Sequence, residues 1–220
     1  MSRANSVFVP ENKVNEYLSK NDITLERMQN GITFVGVSRL VDDDNQAEVV
    51  LKFESGSYND PSRIQGIHHL VEHLVLNRIN KNPHATDVYH NAYTNYKNVS
   101  IILSGIANTK VTNYAIWPMI KHMARVIKDP LASKTLAKDL ASEVKVVLNE
   151  LYEKQADMKW HHYKFLNRCI YDPKNPICTD GLGNETTLSK ISKEDIERIL
   201  SELFIPKGLT VAVFTEGDST

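Results

Sequence analysis

The sequence predicts an α+β protein, with helices packed on one face of a mostly antiparallel sheet. Three observations predict it. Strand-like and helix-like runs are mixed, without the regular β–α–β alternation that builds a parallel sheet. Asn30-Gly31 and Lys97-Asn98 each sit where a hairpin turn belongs, between two β-rich runs. No internal repeat, low-complexity tract or linker divides the 220 residues, so residues 1–220 are expected to form a single domain.

Taken in order, residues 11–23 predict a short polar helix with Val14, Tyr17 and Leu18 as its apolar side. Strands follow at 24–28 and 32–40, the second carried by Ile32, Phe34 and Val35. Asp42-Asp43-Asp44-Asn45 lacks the glycine and the further ligand spacing of a calcium loop, and reads as a solvated turn. Residues 47–53 form a buried strand. The long turn from Ser55 to Ser62 then opens a helix at Pro61-Ser62. Two strands, 88–95 and 98–106, precede a helix over 109–128 that Pro118 breaks or begins. Residues 132–157 carry the longest helical signal, with Leu136, Leu140, Val144, Val147, Leu148 and Leu151 at three- and four-residue steps. A further helix spans 158–170, anchored by Trp160, Phe165 and Leu166. Residues 172–179 and 187–192 read as loops. The second leads into a helix over 193–203, capped by Ser192, and a last strand over 209–214.

Composition excludes several function classes. Lys+Arg 26 against Asp+Glu 27 leaves a net charge of −1, so no basic excess points to nucleic acid and no polybasic run to a membrane surface. No apolar window is long enough for a transmembrane helix, and the first residues carry no apolar stretch of signal-peptide length. Cys169 and Cys178 are too few for a disulfide framework and read as reduced thiols. A cytoplasmic protein is the expectation. No Gly-rich phosphate loop and no nucleophile elbow is present.

The chemistry concentrates in residues 66–76. His69 and His73 are four apart, so on a helix they stack one turn above the other and can share one metal ion. Glu72 projects toward the same side. At ~100° per residue, Ile67, Leu70, Val71, Leu74 and Val75 fall on a separate apolar arc. A metal-bound water beside a carboxylate is the minimum equipment for amide hydrolysis at neutral pH. Two histidines leave a catalytic zinc site one protein ligand short. Glu143 and Glu150, two turns apart on the long helix, border its apolar stripe around Val147. Each is either a ligand candidate or an acid that merely reaches solvent from the edge of the core.

His69-Leu70-Val71-Glu72-His73 is the H-x-x-E-H signature of inverzincins. With it, the sequence resembles the pitrilysin family of zinc metallopeptidases, the family of insulin-degrading enzyme and the mitochondrial processing peptidase. In that family a downstream glutamate in a stretch E-x-x-x-V-x-x-E is the third zinc ligand. Glu143 to Glu150 fits the stretch, and Glu150 lies 77 residues after His73. The resemblance implies that Glu150 is the ligand and that Glu143 supports the site. It implies further that Asn91, Ala92, Tyr93 and Thr94 are the edge strand to which substrate adds. Gln29-Asn30-Gly31-Ile32 and Gly181-Leu182-Gly183 resemble the opening and closing segments of the family domain. His68 replaces a residue that is mostly small in relatives. It reads as an ordinary exposed histidine, with a spare ligand or a substrate contact as the other readings. Val99 replaces a threonine common after the substrate edge.

The implied activity is that of a Zn2+-dependent endopeptidase acting on peptides or unfolded segments, with Glu72 as general base. Relatives enclose substrate between two or four such domains, so a second like or unlike subunit is expected to complete a chamber. The alternatives are a non-catalytic subunit that binds peptide, and a structural zinc domain with His68 as fourth ligand. His161-His162 diverge by ~100° on a helix and read as surface or packing residues, as do His84, His90 and His122.

Overall fold

Strict alternation makes the central strand. In β3 (Gln46–Phe53), Ala47, Val49, Leu51 and Phe53 are buried, while Glu48, Val50 and Lys52 turn to the other face. The computed structural model describes residues 11–37, 46–81, 88–106, 136–173, 175–179 and 181–214. The expected helix over 109–128 and the acidic turn at 42–45 lie outside these residues.

Among the described residues six strands form one sheet. They are β1 (Ile23–Arg27), β2 (Thr33–Val37), β3, β4 (Tyr89–Thr94), β5 (Val99–Ile106) and β6 (Leu209–Phe214), in the order β1-β2-β6-β3-β5-β4. Every neighbouring pair is antiparallel except β2 with β6, which run parallel. The sheet is therefore mixed and mostly antiparallel, as expected. Register sets Phe53 opposite Val99, Leu51 opposite Ile101 and Val49 opposite Leu103, which aligns the core residues of β3 and β5 on one face.

The helices are α1 (Glu11–Lys20), α2 (Ile67–Asn80), α3 (Leu136–Gln155), α4 (Met158–Ile170), α5 (Glu185–Leu188) and α6 (Lys193–Leu203). Ile67, Leu70, Val71, Leu74 and Val75 of α2 are all buried, on the arc the projection predicts. They share one core with β3, β5, Val147 of α3 and the Ile196, Ile199, Leu200 and Leu203 face of α6. Phe204, just past α6, meets Phe53 edge-on at 4.5 Å between ring centres. The long helical run stops at Gln155. Asp157 then caps α4 by accepting from the Lys159 N–H. The expected loop over 187–192 starts as helix instead. Glu185–Leu188 is one turn held by an Asn184–Thr187 capping box, too short to leave a periodic signal. Among the described residues, no helix is long and apolar enough to cross a membrane.

The start of α2 depends on two crossing backbones. Gly66 has φ +89°, a left-handed conformation, and a Cβ there would lie 2.4 Å from the Leu182 carbonyl oxygen. A Cβ on Gly183, φ +78°, would lie 2.3 Å from the Gln65 carbonyl oxygen. The Gly181-Leu182-Gly183 stretch is thus where a second strand of backbone passes under the metal-binding helix. Gly66→Ala is expected to cost about 2–4 kcal/mol, from strain and overpacking together. Urea unfolding of the metal-free protein measures it, and an unchanged midpoint would refute the close crossing.

Candidate metal centre

Asp60 fastens the helix that carries the histidines. Its carboxylate accepts from the Gly66 N–H at 2.7 Å and the His68 N–H at 3.3 Å, satisfying donors that a helix start leaves open. The same carboxylate lies 2.6 Å from His68 Nδ1, and His68 Nε2 lies 2.9 Å from Ser55 Oγ. His68 is therefore not the exposed histidine the sequence suggested. It is 2% exposed, and both ring nitrogens are taken up by the turn that precedes the helix. That rules it out as a fourth metal ligand. The sequence reading missed this because the burial comes from a loop folded over the first turn, which leaves no local signal.

One turn further, His69 and His73 face each other with rings nearly perpendicular, at 83°, and Nε2 atoms 3.3 Å apart. Glu150 reaches across from α3. Its Oε2 lies 3.3 Å from His69 Nε2 and 3.4 Å from His73 Nε2. The three atoms form a nearly equilateral triangle. Ligands placed tetrahedrally at ~2.0–2.1 Å from a zinc ion lie ~3.3–3.4 Å from one another. Two imidazole nitrogens and a carboxylate oxygen at that spacing fit zinc without rearrangement. The His69, Glu72 and His73 cluster has the geometry of a zinc site, its ligand atoms all within 4.8 Å of one another.

Glu72 sits beside the triangle instead of in it. Its Oε2 is 3.8 Å from His69 Nε2 and accepts a 3.0 Å hydrogen bond from the Thr94 hydroxyl on β4. It is 4% exposed. Burial pushes its carboxyl above the ordinary glutamate value, against the pull of His69, His73 and the Thr94 hydrogen bond. Burial by itself would lower the His73 imidazole. The hydrogen bond to Glu150, with the charges of Glu72, Glu150 and Glu143, outweighs it and holds His73 above its usual value. Glu150 is held far below the carboxylate range, chiefly by its hydrogen bonds to His69 and His73.

On the long helix both acids border the apolar stripe. Val147 is fully buried between Glu143 and Glu150, and Lys138 and Lys145 are exposed. Glu143 is buried, with Oε2 3.6 Å from His73 Nδ1, and its Oε1 accepts from the Asn77 side-chain amide. The other oxygen of Glu150 meets Lys154 Nζ at 2.6 Å. His69 Nδ1 is buried with no hydrogen-bond partner among the described residues.

The sequence reading missed three contacts: Thr94 on Glu72, Asn77 on Glu143, and Asp60 on His68. The first and last join separate elements and leave no spacing signal. Asn77 is four residues after His73, a spacing that marks it as a neighbour on the same helix face. The expected substrate strand lies at the end of the sheet order: among the described residues β4 pairs with β5 alone. Asn91 and Tyr93 are exposed, while Ala92 and Thr94 turn inward. His161 and His162 are exposed, His161 contacting the Gln155 carbonyl, and His90 contacts the Val88 carbonyl, so none joins the site. His84 and His122 lie outside the described residues. Cys169 and Cys178 are free thiols.

A sequence profile of insulinase, peptidase family M16, matches residues 37–174, which include the three triangle residues and Glu72. The insulin-degrading enzyme of Drosophila melanogaster is 27% identical over 191 residues, 80% of this chain and 18% of that protein. Among solved structures, the first half of the periplasmic protease PqqL from Escherichia coli superposes with a TM-score of 0.72 at 17% identity, covering 90% of this chain and 43% of that one. Pitrilysin superposes with a TM-score of 0.71 at 21% identity, covering 91% of this chain and 22% of that one. This chain thus spans less than half the length of each. The expectation of a cytoplasmic protein does not stand, because the fold is shared with a periplasmic protease and composition does not encode the compartment. From the profile match over more than half of its length, together with the H-x-x-E-H helix and the fold, the chain belongs to the insulinase family of metallopeptidases, peptidase family M16.

Proposed function

We propose that this chain is the zinc-bearing domain of a metalloendopeptidase that cleaves peptides or unfolded segments. The observation that carries the reading is the triangle of His69 Nε2, His73 Nε2 and Glu150 Oε2, with the Glu72 carboxylate next to it. His69, His73 and Glu150 hold the ion. When bound, zinc supplies Lewis acidity, which acidifies water and polarises the scissile carbonyl. Glu72 takes a proton from the attacking water and delivers it to the leaving nitrogen. Its raised proton affinity suits both halves of that task. Thr94 fixes the carboxylate that does so, and Glu143 orients His73. The open edge of β4 at Asn91, Ala92, Tyr93 and Thr94 offers backbone groups to an extended substrate.

The reading includes residues 1–220 as one domain and a second subunit or domain, like or unlike, across the site. An exposed apolar stripe on α4 supports a partner: Met158, Phe165, Leu166 and Ile170 are 66%, 65%, 54% and 69% exposed. The retained Glu72 speaks against a subunit that only binds peptide, since metal binding alone has no use for the base.

The test is hydrolysis of quenched fluorogenic peptides and unfolded casein by the purified chain, alone and with proteins encoded beside its gene. Chelation is expected to abolish turnover and one zinc per chain to restore it. Turnover that survives chelation would refute the reading. Size-exclusion chromatography of the same samples reads the partner.

Thr94→Val supplies a sharper check. The Thr94 hydrogen bond lowers the Glu72 proton affinity, so removing it raises that affinity. The base is then protonated at a higher pH, and the acid limb of kcat/KM moves up while zinc content stays the same. A limb that does not move would separate Thr94 from the base.

A further inference from the structure

The two histidines of the metal centre are held in different ways. His73 is the seventh residue of α2, well inside the helix, and its Nδ1 lies 3.6 Å from the Glu143 carboxylate. His69 is only the third. The first bond within the helix runs from the Leu70 N–H to the Gly66 carbonyl at 2.9 Å, so the backbone that carries His69 lies in the open first turn. The His69 ring has no brace of its own, since its Nδ1 is buried without a hydrogen-bond partner among the described residues. A metal-binding imidazole is ordinarily oriented through the nitrogen that does not bind the ion. The aim of His69 Nε2 therefore depends on the backbone of that first turn.

The turn is capped from outside. Gly66, at the N-cap position, has no side chain to offer. Asp60 replaces it from six residues upstream, accepting from the Gly66 and His68 N–H groups. The Asp60 side chain is 2% exposed, and its shortest hydrogen bond is to His68 Nδ1 at 2.6 Å. A carboxylate only accepts, so in the neutral ring Nδ1 carries the proton and Nε2 accepts from the Ser55 hydroxyl at 2.9 Å. The Ser55 oxygen in turn accepts from the Asn59 side-chain amide at 3.1 Å. These bonds run from the turn at Ser55 and Asn59 through His68 to Asp60, and from Asp60 back to the start of α2.

We infer that His68 is a positioning residue for the metal centre: through Asp60 it fixes the first turn of α2 and so keeps His69 Nε2 in the triangle with His73 and Glu150. The inference rests on the peptidase reading above, in which His69 is a ligand. His68 is not itself one. Its part matches that of Glu143 by another route, a side-chain contact for His73 and a backbone clamp for His69.

The test separates the two ring nitrogens. In His68→Asn the side-chain amide stands where Nδ1 was and still donates to Asp60. In His68→Gln it stands where Nε2 was, keeping Ser55 and losing Asp60. Competition against a chelating dye reads zinc affinity. The visible absorption of the cobalt-loaded protein reads coordination geometry, and urea unfolding of the metal-free protein reads stability separately. His68→Gln is expected to bind zinc about 10- to 100-fold more weakly, with an altered cobalt spectrum, and His68→Asn to stay within a few-fold of the unmutated protein with its spectrum kept. A lower urea midpoint with both metal readouts unchanged in His68→Gln makes His68 a structural residue only and overturns the inference. Equal losses in the two variants overturn it as well. Should His68→Gln fail to fold, Ser55→Ala, which frees the far side of the ring, is read in the same way: weaker zinc binding and an altered cobalt spectrum are expected, and unchanged readouts overturn the inference. An unmutated chain that binds neither zinc nor cobalt overturns the peptidase reading and this inference with it.

Discussion

A Glu72→Gln protein is expected to keep its zinc and to lose hydrolysis, with kcat down by about 10²- to 10⁴-fold. The amide has the shape of the carboxylate, and its oxygen still accepts the hydrogen bond from the Thr94 hydroxyl. It lacks the capacity to take a proton. Glu72 lies outside the ligand triangle, so metal content is untouched by the change. KM is expected to stay within a few-fold, because the loss falls on the transition state. Metal analysis and steady-state kinetics on one preparation read both halves. Near wild-type turnover would move the base elsewhere, and loss of zinc would make Glu72 part of the ligand set. In the unmutated protein the same residue sets an acid limb. Burial raises its proton affinity, so the base is neutralised, and kcat/KM falls, at a pH above the ordinary glutamate range.

Replacing Glu150 by Gln has the opposite separation: the metal goes first. Affinity for zinc is expected to fall by more than roughly 100-fold, with activity lost in proportion to the metal. The triangle loses its only anionic corner, and a neutral amide oxygen is a poor substitute. The fold tolerates the change, because the Glu150 side chain is 32% exposed and its neighbour Lys154 can return to solvent. Competition titration against a zinc-chelating dye measures it. Unchanged zinc content would refute the ligand assignment. In the metal-free protein Glu150 partners His73, whose proton affinity is raised. Zinc must therefore displace a proton below that raised value, and its affinity climbs with pH through the same window.

Part of this was legible in the sequence because the responsible signals are local. Ser192 marks where α6 begins, and α4 and α6 lie where periodicity and that one cap put them, while the Asp157 cap of α4 is seen only in the structure. The four-residue spacing of His69 and His73 dictated their convergence, and Glu72 with them. Glu150 was different. Helix geometry alone left it as one of two acids at the edge of a stripe, and only the family spacing singled it out. Thr94, Asp60 and the burial of His68 were not legible, since each depends on a loop or strand arriving from elsewhere in the fold. The parallel pairing of β2 with β6 joins residues far apart in sequence, which a one-dimensional pattern does not reveal. The compartment was misjudged for another reason: an ordinary composition and two cysteines suit more than one.

The placement of β6 sets an order for biosynthesis. Among the described residues this strand alone pairs β1–β2 to β3–β5–β4, and it is contributed by residues 209–214. On the ribosome, the metal-binding helices and their strands emerge long before it does. Until then the outer edge of β3 is bare, with Val49, Leu51 and Phe53 alternating along it. A nascent chain therefore carries His69, Glu72, His73 and Glu150 while one edge of β3 is still open. Among the described residues β6 is the last strand of this sheet in chain order, and its arrival covers the open edge of β3.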